Sequence, residues 1–355
     1  MVAIHIFEAL PGDRAPVARR VALILTVALA VTCVLSLSHG ASGVRLGAAV
    51  ADWLGGAAMP AHDRLILWEI RLPRMLTGML VGASLAVGGA VMQGLFRNPL
   101  ADPGLVGVGA GAGLGAVTAI VLGGLAPAWI ATALGWYMVP VAAFLGGWIS
   151  TLVLYRVSTR RGRTSVATML LAGIALGALS GAVTGVLVYV ADDRQLRDLT
   201  FWGLGSLGGA SWPKIAAAGP VMGLALLAAP FLARGLNGLA LGEAAAHHIG
   251  LPVQRVKSVA ILTVAAATGA AVAVSGGIGF IGIVVPHLLR LGTGPDHRYL
   301  LVNAGLLGAI LLLLADLAAR SVIAPAELPI GIVTAAIGAP VFLWILLRRR
   351  GLVDL

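Results

Sequence analysis

The sequence predicts an all-α integral membrane protein of about ten transmembrane helices. Of its 355 residues 59% are apolar and 11% charged, and the mean hydropathy of +1.00 lies far outside the range of water-soluble domains. Apolar runs of roughly 20 residues, enough to cross the hydrocarbon core at 1.5 Å per residue, recur along the whole chain. Nearly all the Arg, Asp, Glu and Pro fall in the short segments between them. Lipid offers no partner for a free N–H or C=O, so the spans must be helical. They are placed at 20–38, 73–95, 104–125, 136–156, 166–190, 214–233, 257–275, 278–294, 299–319 and 328–347.

The first run follows Arg19 and Arg20 and ends in Ser36, Ser38 and Gly40, as a secretory signal would. Its length and the nine spans behind it predict an uncleaved helix. The lone cysteine, Cys33, lies inside it and reads as a small buried apolar residue; neither an internal disulfide nor a thiolate metal cluster is possible. The longest stretch between spans, Ser38 to Leu72, is too short for a core of its own and carries an amphipathic piece near Arg45 to Leu54. A single membrane domain therefore covers 1–355, with a short leading segment (1–19) and a tail (348–355).

Arg71-Leu72-Pro73-Arg74 opens the second span, and Pro73 suits a first helical position. Two cations at the positive end of a helix dipole are mildly unfavourable, so Arg71 and Arg74 are read as surface groups whose replacement leaves folding unchanged. They either snorkel to the interface or form a docking patch for an acidic partner. After the second span, Asn98-Pro99-Leu100-Ala101-Asp102-Pro103 makes a rigid turn, since two prolines four apart forbid a continuous helix. Gly107, Gly111 and Gly115, and again Gly173, Gly177, Gly181 and Gly185, recur every four residues and present flat grooves to other helices. The loose dinucleotide pattern at Gly107 to Ala112 has no βαβ context and carries no weight.

Leu241 to Pro252 reads as a short polar helix outside the membrane, punctuated by Gly242, Gly250 and Pro252. His247 and His248 diverge by about 100° on it and cannot share a metal. Asp316 is the plausible intramembrane acid; Arg320, four residues on, makes an i,i+4 ion pair the simplest account of it. A weak internal likeness relates Gly82 to Leu100 with Gly269 to His287, two stretches running oppositely across the membrane, as in an inverted-repeat transporter.

Charge sets the orientation. With the N-terminus inside, 16 of the 24 positive residues fall on inner segments and 8 on outer ones, which predicts both termini in the cytoplasm. The net charge of +10 is then an insertion signal, and nucleic-acid binding is excluded. The two lysines, Lys214 and Lys257, follow no glycine, so no phosphate-cradling loop exists. Gly-x-Ser-x-Gly, His-Glu-x-x-His and acidic metal-ligand runs are absent, so neither catalytic nor metal-binding residues are assigned. No acid stands clear at the bilayer midplane to couple an ion gradient. Energy is expected from a partner protein.

Arg71-Leu72-Pro73-Arg74, the Gln93 to Pro103 stretch, the Gly242-Glu243 to Pro252 element, Ile278 to His287 and Glu327-Leu328-Pro329-Ile330-Gly331 to Pro340 resemble, in order and in register, the FecCD/BtuC permeases of type II ABC importers, which carry iron-siderophores, vitamin B12 or heme. The resemblance covers about Arg71 to Leu347. It implies ten helices per subunit, a homodimer, two copies of a separate ATPase that uses the ATP, and a periplasmic binding protein, all at the bacterial inner membrane. It assigns docking of that protein to Arg71, Arg74 and Arg320, ATPase coupling to Gly242, Glu243, Ala244, His247 and Gly250, and a cytoplasmic gate to Asn98, Leu100 and Ser165. Leu196 to Ala210 looks most like the heme branch, making heme the transported substrate and its binding protein heme-specific; a ferric siderophore or cobalamin is the alternative. An ion-coupled secondary carrier or a membrane scaffold are the readings from other classes.

Overall fold

The computed structural model describes residues 13–40, 44, 46–47 and 59–348. Every long segment closes its backbone bonds as a helix. Eight helices are long and apolar enough to span a membrane, and the two shorter apolar ones complete the expected set. In chain order they are α1 (Ala15–Ser38), α2 (Ala61–Phe96), α3 (Val108–Leu125), α4 (Ala128–Ser158), α5 (Val166–Val190), α6 (Asp193–Leu204), α7 (Trp212–Ala240), α8 (Glu243–His248), α9 (Val253–Ser275), α10 (Ile281–Thr293), α11 (His297–Ala319) and α12 (Ile330–Arg348). A two-residue antiparallel hairpin, β1 (Thr159–Arg160) with β2 (Arg163–Thr164), joins α4 to α5. The amphipathic piece at Arg45 to Leu54 lies outside the described residues apart from Leu46 and Gly47, and the tail lies outside them after Arg348.

Helix α2 differs from expectation. It starts at Ala61 rather than Pro73, and Pro73 sits in its interior. Proline lacks the N–H that would bond the carbonyl four residues back; the chain answers with a wide turn over Ile66–Arg71, in which the Leu72 N–H donates to the Leu67 carbonyl. Cys33 is half-buried rather than buried, its sulfur 3.5 Å from that of Met79. Helix α6, unpredicted, begins with a capping box: Asp192 accepts from the Gln195 N–H at 2.8 Å, and the Gln195 side chain accepts from the Asp192 N–H at 3.0 Å.

The core sits around α2, α9 and α11, the most enclosed of the spans. Backbones meet at glycine: a Cβ on Gly82 would strike the Gly308 carbonyl of α11, one on Gly89 the Gly282 carbonyl of α10, and one on Gly111 the Gly146 carbonyl of α4. The first glycine row therefore packs within the protomer as predicted. The second does not, because Gly177, Gly181 and Gly185 have nothing within 4 Å and their helix, α5, lies on the outside. Helix α1 is pinned by Asn303 Nδ2, which donates to the Ala18 carbonyl at 3.1 Å.

Between α9 and α10 the chain is not helical. Gly276 and Phe280 take positive φ of 69° and 68°, and the end of α6 supplies partners: the Ser206 N–H donates to the Ser275 carbonyl at 2.8 Å, and the Gly277 N–H to the Trp202 carbonyl at 3.3 Å. Irregular backbone is tolerated at membrane depth where protein satisfies it or where it lines a cavity.

Gly89→Val is expected to abolish monodisperse protein in detergent, whereas Gly113→Val, whose Cβ would meet nothing within 4 Å, leaves the elution profile and thermal midpoint unchanged.

Candidate functional sites at the two ends of the bundle

The predicted site residues separate to opposite ends of the bundle. At one end Arg71, Arg74 and Arg320 converge, the first two buried and the third partly buried. Arg74 lies on the inward face of α2 and forks onto two acids, with Nη2 2.8 Å from Asp316 Oδ1 and Nη1 2.8 Å from Glu327 Oε1. Arg320 closes on Asp316 from the other side at 3.4 Å and donates to the Ser36 and His39 carbonyls, each at 2.9 Å. Arg71 donates to the carbonyls of Leu37 at 2.6 Å and Val44 at 3.1 Å.

The Asp316–Arg320 pair is present as the spacing predicts, but Asp316 is held more closely by Arg74, which is distant in sequence. Arg71 and Arg74, 4% and 9% exposed, are structural cations and not freely replaceable surface groups. The wide turn before Pro73 continues the helix outward, so they stand inside α2 and not at its positive end. Glu327, half-exposed, was not singled out; the Arg74 hydrogen bond holds its carboxyl below the usual carboxylate range.

At the opposite end lie the Asn98 turn, the β1–β2 hairpin and α8. Arg97 ends α2 with φ 51°, and the Asn98 side chain accepts from the Leu100 N–H at 2.9 Å, fixing the turn. Asp102 caps the Gly104 N–H at 2.8 Å; burial pushes its carboxyl up against that hydrogen bond. Ser165 caps α5 by accepting from the Thr168 N–H at 3.2 Å. Asn98, Leu100 and Ser165 are all exposed. No hydrogen bond joins the turn to Ser165 among the described residues.

Helix α8 stands between two glycines that need left-handed backbone, Gly242 at φ 101° and Gly250 at φ 82°. Ala246 is its buried anchor, whereas Ala244, His247 and His248 are exposed and its flanks present Leu241 and Ile249, 70% and 62% exposed. Glu243 is not a free surface carboxylate: it pairs at 2.7 Å with Lys257 of α9, which is 1% exposed. Charge reversal at Glu243 would face that ammonium with another cation, so it disturbs the fold as well as the surface.

Between the ends a cavity of about 730 Å³ opens, walled by Leu85, Gly109, Gly203, Phe280 and Ala335, with Asp102 and Thr268 as its polar side chains. The Thr268 hydroxyl is buried without a partner.

Arg74→Ala is expected to lower stability in detergent by about 3 kcal/mol, because it leaves the buried Asp316 carboxylate only its longer contact with Arg320; Arg74→Lys should recover part of this loss, lacking the fork that meets two acids. Denaturant unfolding of the purified chain measures both.

The FecCD transport family matches residues 28–348. The chain is 48% identical over 285 residues to the hemin transport system permease protein HmuU of Yersinia pestis, covering 80% of this chain and 84% of that one. It is 44% identical over 335 residues to the vitamin B12 import system permease protein BtuC of Shigella boydii, covering 92% and 95%. A solved ABC transporter assigned to the metal-chelate type, in an inward-facing conformation, superposes with a TM-score of 0.81 at 31% identity over 93% of this chain and 99% of that one. The family match over most of the chain, the two identities and the superposition agree: the chain belongs to the FecCD transport family and is the membrane-spanning permease subunit of an ABC importer.

Proposed function

We propose that the chain works as a homodimer in the bacterial inner membrane, with both termini in the cytoplasm, and moves heme inward using ATP hydrolysed by two separate ATPase subunits. The observation that carries the coupling is α8, a short helix whose apolar flanks Leu241 and Ile249 stand exposed at the end that also bears the exposed Arg97, Arg160, Arg161 and Arg163, where an apolar patch beside a charged rim suits a protein partner. Gly242, Glu243, Ala244, His247 and Gly250 form that docking element. The outward glycine row of α5 supports the homodimer, since a flat helix face of this kind packs closely against another helix. Asn98, Leu100 and Ser165, exposed at the same end, are the gate.

Heme is favoured over cobalamin by the 48% identity to the hemin permease and by the Leu196 to Ala210 segment. A cobalamin cargo is the second reading, supported by the longer alignment with the vitamin B12 permease. The binding protein docks at the Arg71, Arg74 and Arg320 end. Since the guanidinium groups are occupied, a carboxylate of that protein exchanges with Glu327, the half-exposed member of the cluster, for the Arg74 fork.

Proteoliposomes holding the chain with its ATPase should take up heme only with internal ATP and the binding protein, and cobalamin poorly; uptake by the chain alone down an ion gradient would establish a secondary carrier instead. Gly181→Leu is expected to leave the protomer folded but to break the dimer, read by mass in detergent. Glu327→Gln should raise binding-protein affinity several-fold and steepen its salt dependence, because it frees a cation that acidic groups seek. An unchanged affinity would remove Arg74 from the docking surface.

A further inference from the structure

Helix α9 begins with a row of side chains that hold the hairpin between α4 and α5. Gln254, Lys257 and Ser258 share one helical face by their spacing. The Thr164 N–H donates to Gln254 Oε1 at 2.9 Å, Lys257 Nζ donates to the Thr164 carbonyl at 2.8 Å, and the Ser258 hydroxyl meets the Tyr155 hydroxyl at 2.6 Å. Thr164 is itself locked into the hairpin through its pairing with Thr159. Its neighbour Ser165 caps α5 and ties back to the Ser158 carbonyl at 2.9 Å. The same Lys257 ammonium pairs at 2.7 Å with Glu243, the first residue of α8.

Lys257 thus touches two segments far apart in the chain, the projecting helix α8 and the end of the hairpin at Thr164, one residue ahead of the α5 cap. Its burial makes the link stiff. Nζ has one carboxylate and one carbonyl to replace the water it has lost, and a buried ammonium parted from its counter-charge is strongly unfavourable. A shift of α8 that carries Glu243 away must therefore draw Lys257 with it or leave the charge stranded, and Lys257 holds Thr164 by the main chain, where no rotamer change can absorb the movement. Gln254 keeps the same residue in register through its N–H.

We propose that Lys257 is the positioning residue that transmits displacement of α8 to the start of α5, so that events at the ATPase-facing helix set the conformation at Ser165. This rests on the reading of α8 as the ATPase-docking element and of Ser165 as part of the gate.

The test uses the full complex of this chain, its ATPase and the binding protein in proteoliposomes, with heme as cargo. In Lys257→Met, ATP hydrolysis should stay within about twofold while the ATP consumed per heme delivered rises by about tenfold, the size of a typical coupling free energy. Lys257→Arg, which can still meet both the carboxylate and the carbonyl, should restore the ratio. Labels report the link directly in a Cys33→Ala background, which removes the lone native thiol. A fluorophore at Arg160→Cys on the hairpin should lose its response to nucleotide in Lys257→Met, whereas one at His248→Cys on α8 keeps it. Should Lys257→Met fail to assemble, Lys257→Gln, neutral but able to donate to the Thr164 carbonyl, takes its place with the same expectation. A wild-type ratio in the neutral variant, or a hairpin label that still responds, overturns the relay. Failure of the wild-type chain to bind its ATPase at all would instead overturn the functional reading on which the relay rests.

Discussion

Backbone-to-backbone contact at glycine is the constraint on which this structure depends. In lipid no apolar driving force separates helix from solvent, so packing distance decides which helices stay together. At Gly82, Gly89 and Gly308 a single added carbon would collide with a carbonyl. Helix α2 can therefore sit at the centre with α10 and α11 against it, and a backbone held that closely leaves no slack. Side chains at its ends are positioned by the post rather than by their own preferences. That is why Arg74, inside α2, reaches two acids from other parts of the chain with good geometry at both.

The two ends then solve the same problem in different ways. Each buries a cation on a central helix and gives it a carboxylate from another segment of the chain: Arg74 with Asp316 and Glu327, Lys257 with Glu243. Replacing such a pair with apolar groups could be neutral for stability, whereas removing one member is expensive. Buried pairs of this kind therefore specify which segments stay in register more than they stabilise the fold. At the first end the members belong to helix ends and a short loop fixed on the core. At the second, one member belongs to a six-residue helix standing on two positive-φ glycines, an element with little packing of its own and correspondingly free to move.

Much of this was legible in the sequence, and what was missed has identifiable causes. Spans, their order and the punctuation of α8 follow from apolar run length and from Gly and Pro, all local signals. The start of α2 is not legible, because Pro73 prefers a first turn and nothing local announces that a wide turn carries the helix through it. Helix α6 carries a readable signal, Asp192 and Gln195 at capping-box spacing, which a search for apolar runs passes over. The burial of Arg71 and Arg74 could not be read, since it depends on Asp316, Glu327 and the end of α1, which meet them only in the folded chain. Only the Arg320 partner, four residues away, was within reach of spacing. Lys257 was invisible for the same reason: a lysine near a helix start reads as an insertion signal, and its partners lie on segments that sequence alone does not bring together.

The cavity between the ends carries a final consequence. Its wall is mostly glycine, alanine and aliphatic side chain, interrupted by one carboxyl and one unpartnered hydroxyl. A surface of that kind offers apolar contact in every direction and few fixed hydrogen bonds, so it has little with which to hold a cargo tightly. For an importer driven by ATP this is the favourable arrangement, because a tight site inside the membrane would have to be emptied against its own binding energy on each cycle.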